Sequence, residues 1–445
     1  MDFSRRIFMS AAPVLAAGAV SAGPALAAPT QASLSATELG LKPGSSADQS
    51  ALLRKAIDRA AERGLVLLLP GGRYQASDVR IDRPVILQGV AGQTTLVARK
   101  DASVFTIEAP DVVLDGISFD GLGEAPGRDN ALVSAQMSER LTIRNCAFRN
   151  FAGNGLELKQ CSGRIACNRV TDIGMTGIFA LDSTGLEIAS NHISDIGNNG
   201  IQVWTSEQRQ DGTIVTGNRI ERVRFDNGGS GQNGNGITVF RAGNVIVSNN
   251  RISDCGYSAI RNNSGRNCQI VNNSCSGLYE TAIYVEFAFD GAVVAGNLVE
   301  TAAGGISITN FNEGGRLAVC ANNVVRDITG GGSDPEKRGI GIGVEADTIV
   351  TGNVVESASY AGISAGWGGY TRDILISGNL VRQCPIAITL SVSVGAGIVN
   401  VTGNMIAQSP KAIVGMNYTD AATGDLALSD AAVPAHLKIS GNSVS

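Results

Sequence analysis

The residues GNGITVFRAGNVIVSNNRISDC at 234–255 repeat, with changes, the residues NGIQVWTSEQRQDGTIVTGNRIERV at 199–223. Each stretch has a Gly-Ile pair, a short alternating run, and an asparagine followed two residues later by an isoleucine. Aligned on aliphatic-x-x-Asn-x-aliphatic, the chain gives Asn168, Asn191, Asn218, Asn250, Asn273, Asn297, Asn323, Asn353, Asn379, Asn404 and Asn442, spaced 23 to 38 residues apart. Between them recur Gly155-Leu156, Gly177-Ile178, Gly200-Ile201, Gly236-Ile237, Ala259-Ile260, Ala282-Ile283, Gly305-Ile306, Gly341-Ile342, Gly362-Ile363, Ala387-Ile388 and Ala412-Ile413. The spacing is short for paired helices, and the leucine pattern of leucine-rich repeats is missing. Runs such as ITVF, VIVS and ISIT have the period of a strand. Three short strands and their turns use up each unit. Coiling the units stacks every strand in parallel on its copy in the next rung and lets aliphatic columns fill the interior. The asparagine fits a tight turn, where it tolerates left-handed φ/ψ and its amide can bond to the asparagines above and below. The fold expected is all-β, a single-stranded parallel β-helix.

Composition agrees. The 445 residues include 56 glycines and 12 prolines, with 43% hydrophobic but only 5% aromatic residues, so the core is built from small and β-branched side chains suited to strands. A formal charge of −5 with no basic block gives no footprint for nucleic acid.

The first residues, MDFSRRIFMSAAPVLAAGAVSAGPALAAPT, place Arg5 and Arg6 before a weakly apolar run and offer Ala25-Leu26-Ala27 as a cleavage site. Residues 1–27 resemble a twin-arginine export signal. That resemblance implies the Tat translocase as a partner during export and a periplasmic or secreted mature protein. Pro13 and the glycines make the run too polar for stable membrane insertion. Residues 28–64 are expected to form an N-terminal segment with a capping helix: DQSALLRKAIDRAAER, at 48–63, puts Leu52, Leu53, Ala56, Ile57 and Ala60 on one face, with Gly64 as the stop. Residues 65–445 are the coil, with Asp115 and Cys146 at the ladder position of the early rungs and an insertion at 415–437 that folds over the last rungs or marks an oligomer contact.

On these rungs the chain resembles the right-handed parallel β-helix superfamily that includes pectate lyases and polygalacturonases. With the export signal it resembles, more narrowly, the twin-arginine-translocated repeat proteins of unassigned function. The superfamily's enzyme signatures are missing: no Asn-Thr-Asp, Asp-Asp and Gly-His-Gly on successive rungs, no Asp-Pro-His-Asp, and no aspartate cluster of a calcium pectate lyase.

The superfamily resemblance places a substrate groove along the strand with the Gly/Ala-Ile pair. Strand alternation then turns specific residues outward on that strand: Glu157 and Lys159, Phe179 and Leu181, Gln202 and Trp204, Thr238 and Phe240, Arg261 and Asn263, Tyr284 and Glu286, Ser307 and Thr309, Gly343 and Glu345. Trp204 and Phe240 read as exposed rings for sugar stacking. Glu157, Lys159, Gln202 and Arg241 complete the substrate-binding set. Arg261, Tyr284, Glu286 and Glu280 are the catalytic candidates: Arg261 as base or carboxylate partner, Tyr284 in proton transfer, and Glu286 as acid/base or cation ligand, paired in a two-carboxylate hydrolase with Glu280 or Glu157. The loops 225–235 and 329–338 are expected as walls of the groove. No cofactor is required on this reading, and calcium is left open.

Two functions follow: an exported protein that binds and cleaves or epimerises a polysaccharide in that groove, or a non-catalytic envelope or surface protein that binds glycan or protein. The eight cysteines mostly occupy core columns and are expected as free thiols, with Cys146, Cys161 and Cys167 the exceptions. His192, next to a ladder asparagine, is expected on the turn surface.

Overall fold

Three strands make one turn of the coil. The computed structural model describes residues 32–99, 102–124, 130–309 and 314–445; the twin-arginine reading of residues 1–27 lies outside them. One turn runs through Leu186–Ala189, His192–Ile196 and Asn199–Gln210, and the next through Ile214–Thr216, Arg219–Val223 and Asn235–Gly243. The copies pair in parallel, Ile188 with Val215, Ile193 with Ile220 and Ile201 with Ile237. Among the described residues, repetition yields one sheet of 16 strands and another of 28. Alternation sends one aliphatic column after another inward, for example Ile165, Ile188, Val215, Val247 and Ile270, all buried. The protein is therefore an all-β parallel solenoid, with one α-helix among its described residues, near the N-terminus.

The asparagine ladder is continuous from Asn168 to Asn442. The Asn191 amide donates to the Ile165 carbonyl at 2.9 Å and to Asn218 Oδ1 at 3.0 Å, while its own Oδ1 accepts the Asn168 backbone N–H at 3.0 Å. The left-handed residue is the one before the asparagine: Ser190, Gly217 and Asn249 have φ of 55°, 64° and 56°. The amide must lie inside the corner to reach the preceding rung, so the chain turns one residue earlier than expected. A second left-handed corner follows at Asp195, Arg222 and Asp254.

Asp115 is not at the ladder position. It pairs with Arg144, and the position equivalent to Cys146 is Ile117, since Ala147 pairs with Ser118.

The helix Ser50–Arg63 ends at Gly64 in the left-handed conformation and buries Leu53, Ala56, Ile57 and Ala60. Leu52 instead faces outward. At the other end, Lys411–Asn417 turns back on Asp420–Asp425 as an antiparallel hairpin, and the Asp425 carboxylate accepts the N–H groups of Ala412 and Ile413 at 2.7 and 3.0 Å. An edge left open by the last rung is thereby covered.

All eight cysteines are free, Cys146, Cys161 and Cys167 included. Seven are buried, and burial pushes the Cys146 and Cys275 thiols up to about 12. His192 opens a strand and faces Glu221 at 3.3 Å. No helix among the described residues is long and apolar enough to cross a membrane.

Candidate functional site

The outward residues of the Gly/Ala-Ile strands stand in one column: Glu157, Phe179, Gln202, Thr238, Arg261, Tyr284, Ser307, Gly343, Ser364 and Thr389 are neighbours across successive rungs. Residue size along this column decides where a ligand fits.

The N-terminal part of the column is filled by its own side chains. Lys159 pairs with Glu157 at 2.7 Å, and Glu157 is buried. The Thr176 hydroxyl donates to Gln202 at 2.6 Å, and the Trp204 indole N–H donates to Thr238 at 2.9 Å. Phe179, Trp204 and Phe240 form a ladder with ring centroids 5.6 and 5.5 Å apart, and Arg241 lies over Phe240 at 4.7 Å. Trp204 and Phe240, read from the sequence as exposed rings, are partly buried because each covers the other.

Arg261, Tyr284, Glu286 and Glu280 do come together. Arg261 holds Glu286 with two parallel hydrogen bonds, Nε to Oε1 at 2.7 Å and Nη2 to Oε2 at 2.9 Å, and its Nη1 reaches Glu280 at 3.1 Å. Asn263 also donates to Glu286, and Ser258 to Glu280, each at 3.0 Å. The guanidinium lies 4.9 Å from the Tyr284 ring centroid. Burial pushes the Glu286 carboxyl above the usual range against the pull of Arg261, and pushes the Tyr284 hydroxyl up to about 12. Burial opposes the charge on Arg261, but Glu286 outweighs it and holds the guanidinium protonated. The guanidinium is thus held charged, and both oxygens of the Glu286 carboxylate are engaged by it. Loop 225–235 covers this cluster: Tyr257 donates to the Gly229 carbonyl at 2.7 Å, and a Cβ on Gly231, where φ is 125°, would lie 2.1 Å from Arg261 Nη1.

Beyond Tyr284 the column shrinks to Ser307, Gly343 and Ser364, and here a cleft of about 380 Å³ opens. Tyr284 forms one end. Loop 329–338 makes one side: Gly331 donates to the Lys337 carbonyl at 2.8 Å and Lys337 to the Asp334 carbonyl at 3.0 Å. That turn places the Lys337 ammonium 5.4 Å from the Tyr284 ring centroid, where burial lowers its pKa. Lys337 makes no ion pair among the described residues. Trp367 stands on the other side, 37% exposed. The hairpin tip closes the far end: Tyr418 meets Trp367 edge-on at 5.5 Å, and the Thr419 carbonyl accepts Arg338 at 3.0 Å. Arg338 also donates to the Tyr360 hydroxyl at 2.7 Å.

Among the described residues no cluster of His, Cys, Asp and Glu could hold a metal ion, so no calcium site is assigned. Sequence reading set its site residues between Glu157 and Glu286; it expected loop 329–338, which carries Lys337 and Arg338, as a wall without singling those two out, and it missed Tyr360, Trp367 and Tyr418. One signal was available: Ser307 and Gly343 are small in a column that is bulky before them.

Comparison with known proteins follows this geometry. The sequence matches the family model of the right handed beta helix region over residues 102–220 and 209–381, more than half of the chain, and the protein belongs to that family. No curated protein matches the sequence. Among solved structures, the chain resembles the A-module of mannuronan C-5 epimerase AlgE6 from Azotobacter vinelandii, with 15% identity, a TM-score of 0.51, and coverage of 92% of this chain and 99% of that one. It also resembles the N-terminal fragment of gene product 12 of bacteriophage phi29, with 13% identity, a TM-score of 0.55 and coverage of 90% and 73%. A third is a tailspike protein of E. coli bacteriophage HK620 in complex with pentasaccharide, with 10% identity, a TM-score of 0.57 and coverage of 86% and 78%. At these identities the likeness is one of fold.

Proposed function

We propose that this member of the right-handed β-helix family is an exported protein that binds a saccharide in the cleft between Tyr284 and the 411–425 hairpin. The observation that carries the reading is the cleft itself: a floor of small residues, an aromatic side at Trp367, and a half-buried ammonium at Lys337. Its volume falls in the range of ordinary ligand sites, and a few polar groups converge on it. Two fold relatives support the reading through what they handle: one is a mannuronan epimerase module, and the other was captured with a pentasaccharide. Export follows from the twin-arginine signal expected at residues 1–27. Arg261, Glu286 and Glu280 then serve as a rigid backing that fixes the Tyr284 ring at the end of the cleft.

Lys337 beside Tyr284 favours a second reading, in which the bound saccharide is also cleaved or epimerised. Burial makes the Lys337 amine easier to deprotonate than a free lysine, and a neutral phenol beside it can return a proton.

The test is calorimetric titration of pectate, alginate, chondroitin, xylan and dextran into wild type and Gly343→Trp. A Cβ on Gly343 meets only Ile340, at 3.7 Å, so an indole there fills the cleft without disturbing the coil. Binding lost at least tenfold in Gly343→Trp at unchanged melting temperature is expected; equal binding by both proteins, or none by wild type, overturns the reading. Absorbance at 235 nm and reducing-end release decide the chemistry. Binding without product assigns the non-catalytic role.

A further inference from the structure

We infer that the cleft takes the end of a saccharide chain, an inference that rests on the binding reading above. A site for the interior of a polymer must be open at both ends along the ligand. This cleft is closed at both.

Toward the N-terminus it stops at Tyr284, whose ring is flanked by the Arg261 guanidinium at 4.9 Å and the Lys337 ammonium at 5.4 Å. Behind that ring the column does not reopen, because loop 225–235 lies on Arg261 at Gly231 and the Trp204 and Phe240 rings occupy the next rungs. Toward the C-terminus the hairpin tip is joined to both sides at once. Tyr418 touches Trp367 on one side, and Thr419 accepts Arg338 from the other. Gly368 underlies that contact: a Cβ there would lie 2.5 Å from the Tyr418 ring, so the tip sits directly on the wall.

The floor from Tyr284 to Thr389 covers four rung steps, about 19 Å at roughly 4.8 Å per step. That length holds a few sugar units. A longer chain can leave only through the mouth, away from the sheet.

The experiment measures binding stoichiometry against chain length. Sized oligosaccharides of one to eight residues, cut from whichever of pectate, alginate, chondroitin, xylan or dextran binds, are titrated against the full chain, and the parent polymer is examined by sedimentation with excess protein. End recognition predicts affinity per molecule that levels off within a few residues and at most two proteins per polymer chain, whatever its length. Affinity that keeps rising up to eight residues, or a protein load that scales with polymer length, overturns it while leaving saccharide binding intact. Absence of binding by every saccharide instead overturns the functional reading, and this inference with it. Arg338→Ala, which releases the hairpin tip from loop 329–338, is expected to raise the number of proteins per polymer chain; an unchanged number contradicts the role given to the tip.

Discussion

Arg261 and Glu286 sit on adjacent rungs with guanidinium and carboxylate parallel, 2.7 and 2.9 Å apart, and their side chains are only 13% and 4% exposed. A pair this buried is costly to break from one side, because the partner left behind stays charged and desolvated. Arg261→Ala or Glu286→Ala alone is expected to destabilise the protein by about 3–5 kcal/mol, and the double variant Arg261→Met/Glu286→Leu by less, since only Glu280 is then left without its guanidinium. Urea midpoints measure both. Equal losses in single and double variants would count against the pair as a structural unit.

Removing one ladder asparagine strands buried groups on two rungs. Asn273→Ala takes the acceptor from the Asn250 backbone N–H and the donor from the Val247 carbonyl on the rung before, and a donor from Asn297 Oδ1 on the rung after, at about 1–3 kcal/mol for each unsatisfied group. Asn442 ends the ladder near solvent, and Asn442→Ala is expected to cost less than half as much. Hydrogen exchange at the Asn250 amide should quicken in Asn273→Ala and stay unchanged in Asn442→Ala.

Tyr284 carries an alkaline liability. Its hydroxyl is held up to about 12 in the fold against an ordinary value of 10.0. The folded chain keeps this proton where the unfolded chain loses it, so the linked stability is present below pH 10 and lost as pH rises toward 12, on the order of 3 kcal/mol across the window. Tyr284→Phe should therefore show a shallower fall of the urea midpoint between pH 9 and 11.5 than wild type. Parallel curves would contradict the burial of the hydroxyl.

Lys337 shifts the other way. Burial lowers its pKa, so the ammonium loses its proton at lower pH than a free lysine. In that window the unfolded chain holds the extra proton, and linked stability rises with pH while the cleft loses positive charge. Affinity for pectate should fall as pH rises through the Lys337 titration, and Lys337→Arg should move that fall to higher pH. Identical profiles would remove Lys337 from anion recognition.

Much of the architecture was legible because a β-helix writes each structural position once per turn. The ladder asparagines and the inward columns, such as Ile188 and Val215, follow from spacing and alternation alone. Asp115 was misplaced because one rung without an asparagine gives no register mark, and Ile117 two residues later holds that place. The meeting of Arg261, Tyr284 and Glu286 follows from column register. The cleft does not, since its sides come from chain that leaves the period: the turn that returns Lys337 over Tyr284, Trp367 before the short turn Gly368–Tyr370, and the hairpin that carries Tyr418 back to Trp367. Repeat spacing sets no path for such loops. Trp204 looked like a sugar platform because Phe240, one rung on, was counted as a second platform and Phe179, one rung back, was not considered, whereas both rings cover it.

The two tryptophans of the chain separate the rungs where sequence reading put a sugar platform from the cleft proposed to bind one. In Trp204→Phe the sole indole is Trp367, on the side of the cleft; in Trp367→Phe it is Trp204, inside the aromatic ladder. The most direct measurement is acrylamide quenching of each variant as the best-binding saccharide is titrated in. Protection of Trp367 at the calorimetric midpoint, with Trp204 unaffected, is the result expected. Protection of Trp204 with Trp367 unmoved would put the ligand on rungs 200–240 and contradict the assignment of the cleft.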